Sequence, residues 1–242
     1  MSTITIGELL HPAGDPWDPS DRLQERLAEA ARYAVLRRIA PVLRHDMAGL
    51  MQPVGMLMMV LQRRVQMPEP DLQAIAKNVV SVSALTKEAT TGCMNAMGWM
   101  AAREDAAVGL RSSIDEAAKL LAMELSAQGL EISNIISDDG LVIPQSFFRS
   151  LLVGALLAFC DQRMAGSRLQ ISLDTEAGNG TPANRLMLRM LPGDAPEVPG
   201  VPAVDRSSRL IDWADVEAMS RSFGVTLERG GGWLAVGLPK AS

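Results

Sequence analysis

Leu43, Met47, Leu50, Val54, Leu57 and Leu61, spaced at heptad-like intervals, leave this chain few options for folding. On a helix turning about 100° per residue they form one narrow seam. Such a seam belongs to a helix that packs along its length against other helices. The stretch from Arg38 to Arg64 therefore reads as part of one long helix, which Pro41 and Pro53 are expected to kink. Its periodicity reaches back to a start signal at Asp18-Pro19-Ser20-Asp21, where a capping side chain meets early acidic residues. Met67-Pro68-Glu69-Pro70 is a turn. Asp71 then opens a second helix, with Leu72, Ile75, Val79, Val82, Leu85, Ala89, Cys93 and Met97 on its predicted buried stripe, ending near Arg103. Two helices across a tight turn make an antiparallel hairpin. A lone hairpin cannot close a core, so two copies are predicted to pair into a four-helix bundle, a homodimer through residues 20–104.

His45 falls opposite the seam, toward water. Arg38, Pro41, Ala48, Gly49, Gln52, Met56, Met59 and Arg63 share its face. Ala48 and Gly49 leave room for a large partner to approach the ring, and Met56 and Met59 offer apolar contact farther along. Arg38 and Arg63 can set register against acidic residues of that partner. The plain alternatives, on spacing alone, are a surface histidine with no duty and arginines that are simply solvated. The second histidine, His11, lies in a Pro- and Gly-containing leader spanning residues 1–19.

The 242 residues allow one large domain or two modest ones, and 48% apolar content is ample for a core. A formal charge of −5 argues against nucleic acid as a partner, which would need clustered Lys and Arg. Cys93 and Cys160 sit in apolar helical contexts and read as buried thiols in a reducing compartment. No His, Cys and carboxylate cluster has metal-ligand spacing. With no signal peptide and no apolar run of membrane length, the sequence predicts a cytoplasmic protein that makes no use of a membrane.

From Asp105 the texture changes. Residues 110–128 read as a helix stopped by Gly129, and Leu130–Ile136 alternates like a strand. A short apolar piece over 140–143 precedes Pro144, at a first helical turn. A strongly apolar helix follows over 146–163. Arg168–Asp174 and Arg185–Leu191 alternate as strands, separated by a Gly/Asn/Pro loop. A Pro- and Gly-rich loop over 193–202 leads to a helix over 211–223, stopped by Gly224. A final hairpin, 225–228 and 233–238, turns at Gly230-Gly231-Gly232. The whole is α+β, a helical hairpin followed by a mixed α/β layer with helices on one face.

Arg44-His45-Asp46-Met47, followed by Leu50 and Pro53, resembles the phospho-acceptor motif of two-component histidine kinases. The element order after Asp105 resembles the ATP-binding domain of the same family, with 148–162 similar to its Mg-ATP helix and 212–239 similar to its terminal helix and hairpin. The resemblance covers nearly the whole chain after Ser20 and implies two domains, 20–104 and 105–242. The departures from it decide the function. Where the family carries magnesium-holding Asn side chains, this chain has Gly154 and Ala158, which offer no oxygen to a dication. The adenine motif Asp-x-Gly-x-Gly is replaced by Gly193-Asp194-Ala195-Pro196. Asp205-Arg206-Ser207-Ser208-Arg209 stands where the glycine-rich lid belongs. Gly230-Gly231-Gly232 lies between strands and is a hairpin turn, not a phosphate loop.

As a whole the chain resembles dimeric histidine phosphotransferases, built like a histidine kinase core with a degenerate ATP-binding α/β sandwich. The resemblance implies that His45 accepts phosphoryl from a receiver-domain aspartate and hands it to another response regulator. It also implies that the chain has no cofactor of its own and that Mg²⁺ comes from the partner receiver. Asp46 would orient the ring or accept its proton, although neighbouring helix side chains diverge by about 100° and Asp46 must lean across. Gly49 stands where many kinases have a Thr or Asn that aids phosphatase activity. Two alternatives stay open: a divergent ATP-dependent sensor kinase, and a non-catalytic dimer that binds and blocks a receiver or kinase.

Overall fold

The computed structural model describes residues 19–100, 106–127, 129–137, 140–161, 167–174, 184–192 and 210–239. The leader, the 193–202 loop, the two segments read as replacing the adenine motif and the lid, and the predicted boundary at 104/105 lie outside them.

Helix α1, Pro19–Val65, is continuous over 47 residues, with Pro41 and Pro53 inside it. It spans roughly 70 Å at about 1.5 Å per residue. The chain turns over 66–71, where the Asp71 carboxylate accepts the backbone N–H groups of Gln73 and Ala74 at 3.0 Å. This is the side-chain cap that starts α2, Leu72–Met100. The two helices lie against each other as an antiparallel hairpin. Gly92 lets them close up, because a side chain there would collide with Leu50.

Within one chain the predicted stripe of α2 is only partly covered. Ala89 and Ala96 are buried, whereas Leu72, Val79 and Met97 are 76%, 50% and 43% exposed. On a helical projection those three point to one side of the hairpin, away from α1, where a single hairpin has nothing to pack on them. Cys93, expected to be buried, is half-buried for the same reason.

The second half alternates short helices and strands: β1 (Ala107–Gly109), α3 (Leu110–Leu120), α4 (Ala122–Ala127), β2 (Glu131–Asn134) and β3 (Val142–Pro144). The single helix expected over 110–128 is broken at Leu121. Next comes a helical run, α5, made of Gln145–Phe147, a π-helical turn Phe148–Leu152, and Val153–Asp161. Then follow β4 (Ser167–Asp174), β5 (Arg185–Pro192), α6 (Trp213–Ser222), β6 (Leu227–Gly230) and β7 (Trp233–Gly237).

Five strands form one sheet in the order β2-β4-β5-β7-β6. β2 and β4 are parallel and the other neighbours antiparallel. β1 and β3 pair separately, Val108 opposite Ile143. Register sends Ile171, Leu188 and Leu234 to one face, with Leu169, Leu186 and Val236 beside them. All six are buried, the period-two signature of a sheet with one covered face. The α5 helix covers it: Phe147, Leu151, Val153, Ala155 and Leu157 have no exposed surface. Gly224 at φ 63° ends α6, and Gly232 at φ 81° makes the last hairpin turn.

One hydrophobic core runs through the molecule. It takes in Ala31, Ala34, Val35, Ile39 and Leu43 of α1 together with the inner face of the sheet. The N-terminal half of α1 thus belongs to the α/β core, while the C-terminal half stands out with α2 as the hairpin.

Candidate functional site

His45 sits just past the point where α1 leaves the α/β core. Leu43, one turn-face away, is buried and Met47 packs against the core, so the back of the helix is anchored. The imidazole, on the opposite face, is 72% exposed. Asp46 does lean across: its Oδ1 lies 3.3 Å from His45 Nδ1. A carboxylate there accepts the Nδ1 proton and leaves the Nε2 lone pair facing solvent.

The residues around the ring leave it clear. Ala48, Gly49 and Gln52 are exposed, and a Cβ at Gly49 would meet nothing within 4 Å. Farther along, Met56 and Met59 are 57% and 60% exposed. With Pro53, Leu57, Val60, Arg63 and Leu85 of α2 they line an apolar hollow of about 510 Å³. Six of the seven residues predicted to meet a partner therefore stand together on the surface.

Arg38 does not. Expected at the edge of this face, it is 8% exposed and points into the interior. Its guanidinium donates from Nε (3.1 Å) and Nη2 to Glu124 Oε1. Nη2 also donates to Asp161 Oδ1 at 2.9 Å. The other Asp161 oxygen accepts the Ile211 N–H at 2.9 Å, so one carboxylate holds both α1 and the approach to α6. Burial raises the Asp161 pKa above the ordinary carboxylate value, opposed by the Ile211 N–H and by Arg38. Burial also works against the Arg38 charge, yet Glu124 and Asp161 outweigh it and raise its pKa. Sequence reasoning missed this triad because the partners lie 86 and 123 residues from Arg38.

A second tie joins α2 to α5. Arg149, in the π-helical turn, donates from Nη1 to the Gly98 carbonyl, with its guanidinium 5.1 Å from the Trp99 ring centroid. Trp99 in turn meets Phe148 edge to face at 5.5 Å. Desolvation lowers the Arg149 pKa, with Glu116 opposing.

The face of α5 carrying Gly154 and Ala158 is filled from within. A Cβ on Gly154 would stand 2.6 Å from Met219 Cε and 3.2 Å from Val35 Cγ2, and Ala158 is 1% exposed. No side-chain oxygen is offered at either position, and Val35 of α1 and Met219 of α6 close over Gly154. Among the described residues no helix is long and apolar enough to cross a membrane.

No protein-family model and no curated protein matches the chain. Solved histidine kinase structures are among its matches. A Burkholderia phymatum histidine kinase is 16% identical, with 84% of this chain and 99% of that one covered at a TM-score of 0.40. Acinetobacter baumannii histidine kinase AdeS is 14% identical, covering 82% and 98% at 0.38. Histidine kinase ThkA, in complex with response regulator TrrA, is 12% identical, covering 94% and 68% at 0.39. Likeness at this level assigns no activity, so the function has to come from this chain's own residues.

Proposed function

We propose that this protein is a histidine phosphotransferase of a two-component phosphorelay, working as a homodimer through its helical hairpin. His45 takes phosphoryl from the phospho-aspartate of one receiver domain and gives it to the aspartate of another. The observation that carries the reading is an open, carboxylate-oriented imidazole on a helix whose other face is anchored in a core with no room at Gly154 and Ala158. The nucleophile is free, and among the described residues Gly154 and Ala158 offer no oxygen to a nucleotide's magnesium.

Asp46 holds the Nδ1 proton, and the Nε2 lone pair attacks phosphorus. An N–P bond forms as the bond to the aspartyl oxygen breaks, and the receiver's carboxylate leaves with that electron pair. The receiver supplies the Mg²⁺ that balances the transferring charge, so His45 need only be exposed and aligned. Return to a second aspartate runs the same path backwards. Ala48 and Gly49 admit the partner's backbone, and the hollow under Met56 and Met59 takes an apolar ridge beside Arg63. The exposed Leu72, Val79 and Met97 on the other side of the hairpin fit burial against a second copy. In this reading 20–104 is the dimerisation and transfer domain and 105–242 a degenerate ATP-binding domain that lends support.

The test is incubation of the purified chain with a ³²P-labelled phospho-receiver. Acid-labile label is expected on the wild type and none on His45→Ala. Label acquired from ATP with no other protein present would make the chain a divergent kinase instead. A His45→Ala protein that still accepts phosphoryl sinks the assignment.

A further inference from the structure

We propose that Arg38, clasped by Glu124 and Asp161, is a latch that fixes the α/β unit on α1 in the one pose that leaves His45 open. Its consequence for His45 rests on the relay reading; the latch itself does not.

Two helical turns separate Arg38 from His45, and between them Leu43 is the last residue of α1 buried in the shared core. Whatever fixes the α/β unit at Arg38 therefore fixes its edge directly behind the histidine. The side chains of Arg38, Glu124 and Asp161 are 5%, 15% and 7% exposed, so the charges have been taken out of water. A well-packed apolar trio would hold the elements together at least as tightly, since desolvation offsets much of a buried ion pair. What the charges supply is geometry. The planar guanidinium satisfies both carboxylates only when α1, α4 and the end of α5 are in register.

Asp161 extends that register to the approach of α6 through the Ile211 N–H. The apolar contacts nearby are non-directional by comparison. Ala28, Ala31, Ala34, Val35 and Ile39 are buried and close-packed, and they set how near α1 lies to the α/β unit rather than a bonded register. Arg149 on the Gly98 carbonyl ties α2 to the same body but lies on the other helix of the hairpin. On the helix that carries the histidine, Arg38 pairs with two carboxylates of that body, and six residues earlier Arg32 donates to Ser222 Oγ at 2.6 Å.

Arg38 is thus a positioning residue, acting on His45 through the placement of the α/β unit. When the latch is released, the unit samples poses that obstruct the ring or the hollow beside it. A docking-competent state populated only part of the time raises the apparent dissociation constant by the inverse of that fraction and leaves the docked complex unchanged.

The experiment compares wild type, Arg38→Lys and Arg38→Met as full chains. It measures the rate of phosphoryl uptake against phospho-receiver concentration, and amide hydrogen exchange by mass spectrometry. Arg38→Met is expected to raise the half-saturating receiver concentration about tenfold with the maximal rate within about twofold of wild type. Exchange should quicken over 28–43 and 145–161 but not over 50–92. Arg38→Lys, whose compact ammonium reaches one carboxylate and not both, should fall between. Should Arg38→Met fail to fold, Arg38→Lys decides alone. Wild-type half-saturation and wild-type exchange in Arg38→Lys overturn the latch, as does a loss of maximal rate at unchanged half-saturation. If the wild type takes no label at all, the relay reading fails, and the latch stands or falls on exchange.

Discussion

The two halves of α1 share one unbroken helix and have opposite fates. Over 28–43 the helix is core, with Ala28 and Ala31 fully buried and Val35 and Ile39 at 1% exposure. Over 45–65 it is surface, with Met51, Met56 and Met59 all more than half exposed. Hydrophobicity does not distinguish them, since both halves are apolar; side-chain size and stiffness do. Alanines let α5 and α6 approach closely and fill the gap with their own bulk. Methionines are long, unbranched and polarisable, suited to a surface that meets a partner rather than one packed permanently. His45 stands at the junction, where the backbone is held from behind and the ring is free in front.

The sharpest break between the halves is functional. His45→Ala should abolish phosphoryl uptake while shifting folding stability by no more than about 0.5 kcal/mol, since it alters an exposed position. Label transfer and urea denaturation on the same preparation check both parts. In the buried half the order reverses. Arg38→Ala strands two buried carboxylates and should cost about 3–5 kcal/mol in urea denaturation. Ala31→Leu overfills the contact with the α/β unit and should cost about 1–3 kcal/mol, read the same way. In the exposed half, Met59→Glu should leave stability alone and weaken receiver binding about tenfold, the loss of one apolar contact; calorimetric titration with a phosphorylation-mimicking receiver measures it.

The smallest effect is a pH dependence confined to the buried half. The folded pKa of Asp161 is raised above its unfolded value. Its proton-linked contribution is therefore fully present below the unfolded value and is lost as pH rises through the raised folded one. Asp161→Asn removes that linkage. Measured against the mutant, wild-type stability should improve as pH falls from 7 through the raised value; a difference independent of pH would contradict the assignment.

The hairpin and the α/β strands were legible because they rest on periodicity. The heptad seam, the Asp71 cap, the alternation in β4 and β5, and glycines at Gly224 and Gly232 all announce themselves locally. The exposed face around His45 was legible for the same reason, being the complement of the seam. The fate of the first half of α1 was not. Alanines carry little hydrophobic signal, and only the approach of α6 from the far end of the chain turns them into core. Arg38 failed more sharply: an arginine on the polar side of a helical projection reads as solvated, and nothing near it in sequence says that two carboxylates wait in the interior. The π-helical turn at Phe148–Leu152 and the three-residue β1 are likewise set by packing and pairing, not by local pattern. Leu72, Val79 and Met97 show the reverse case, a sequence stripe that one chain alone leaves uncovered.

Pro53 does more than interrupt a ladder of hydrogen bonds. Having no N–H, it cannot pair with the carbonyl of Gly49, one helical turn earlier. Gly49 has no side chain, and the space a Cβ would take there is open. The Gly49 carbonyl, one turn beyond the imidazole, thus lacks its usual helical donor. Pro53→Ala would restore the missing bond and stiffen the helix there without touching the histidine.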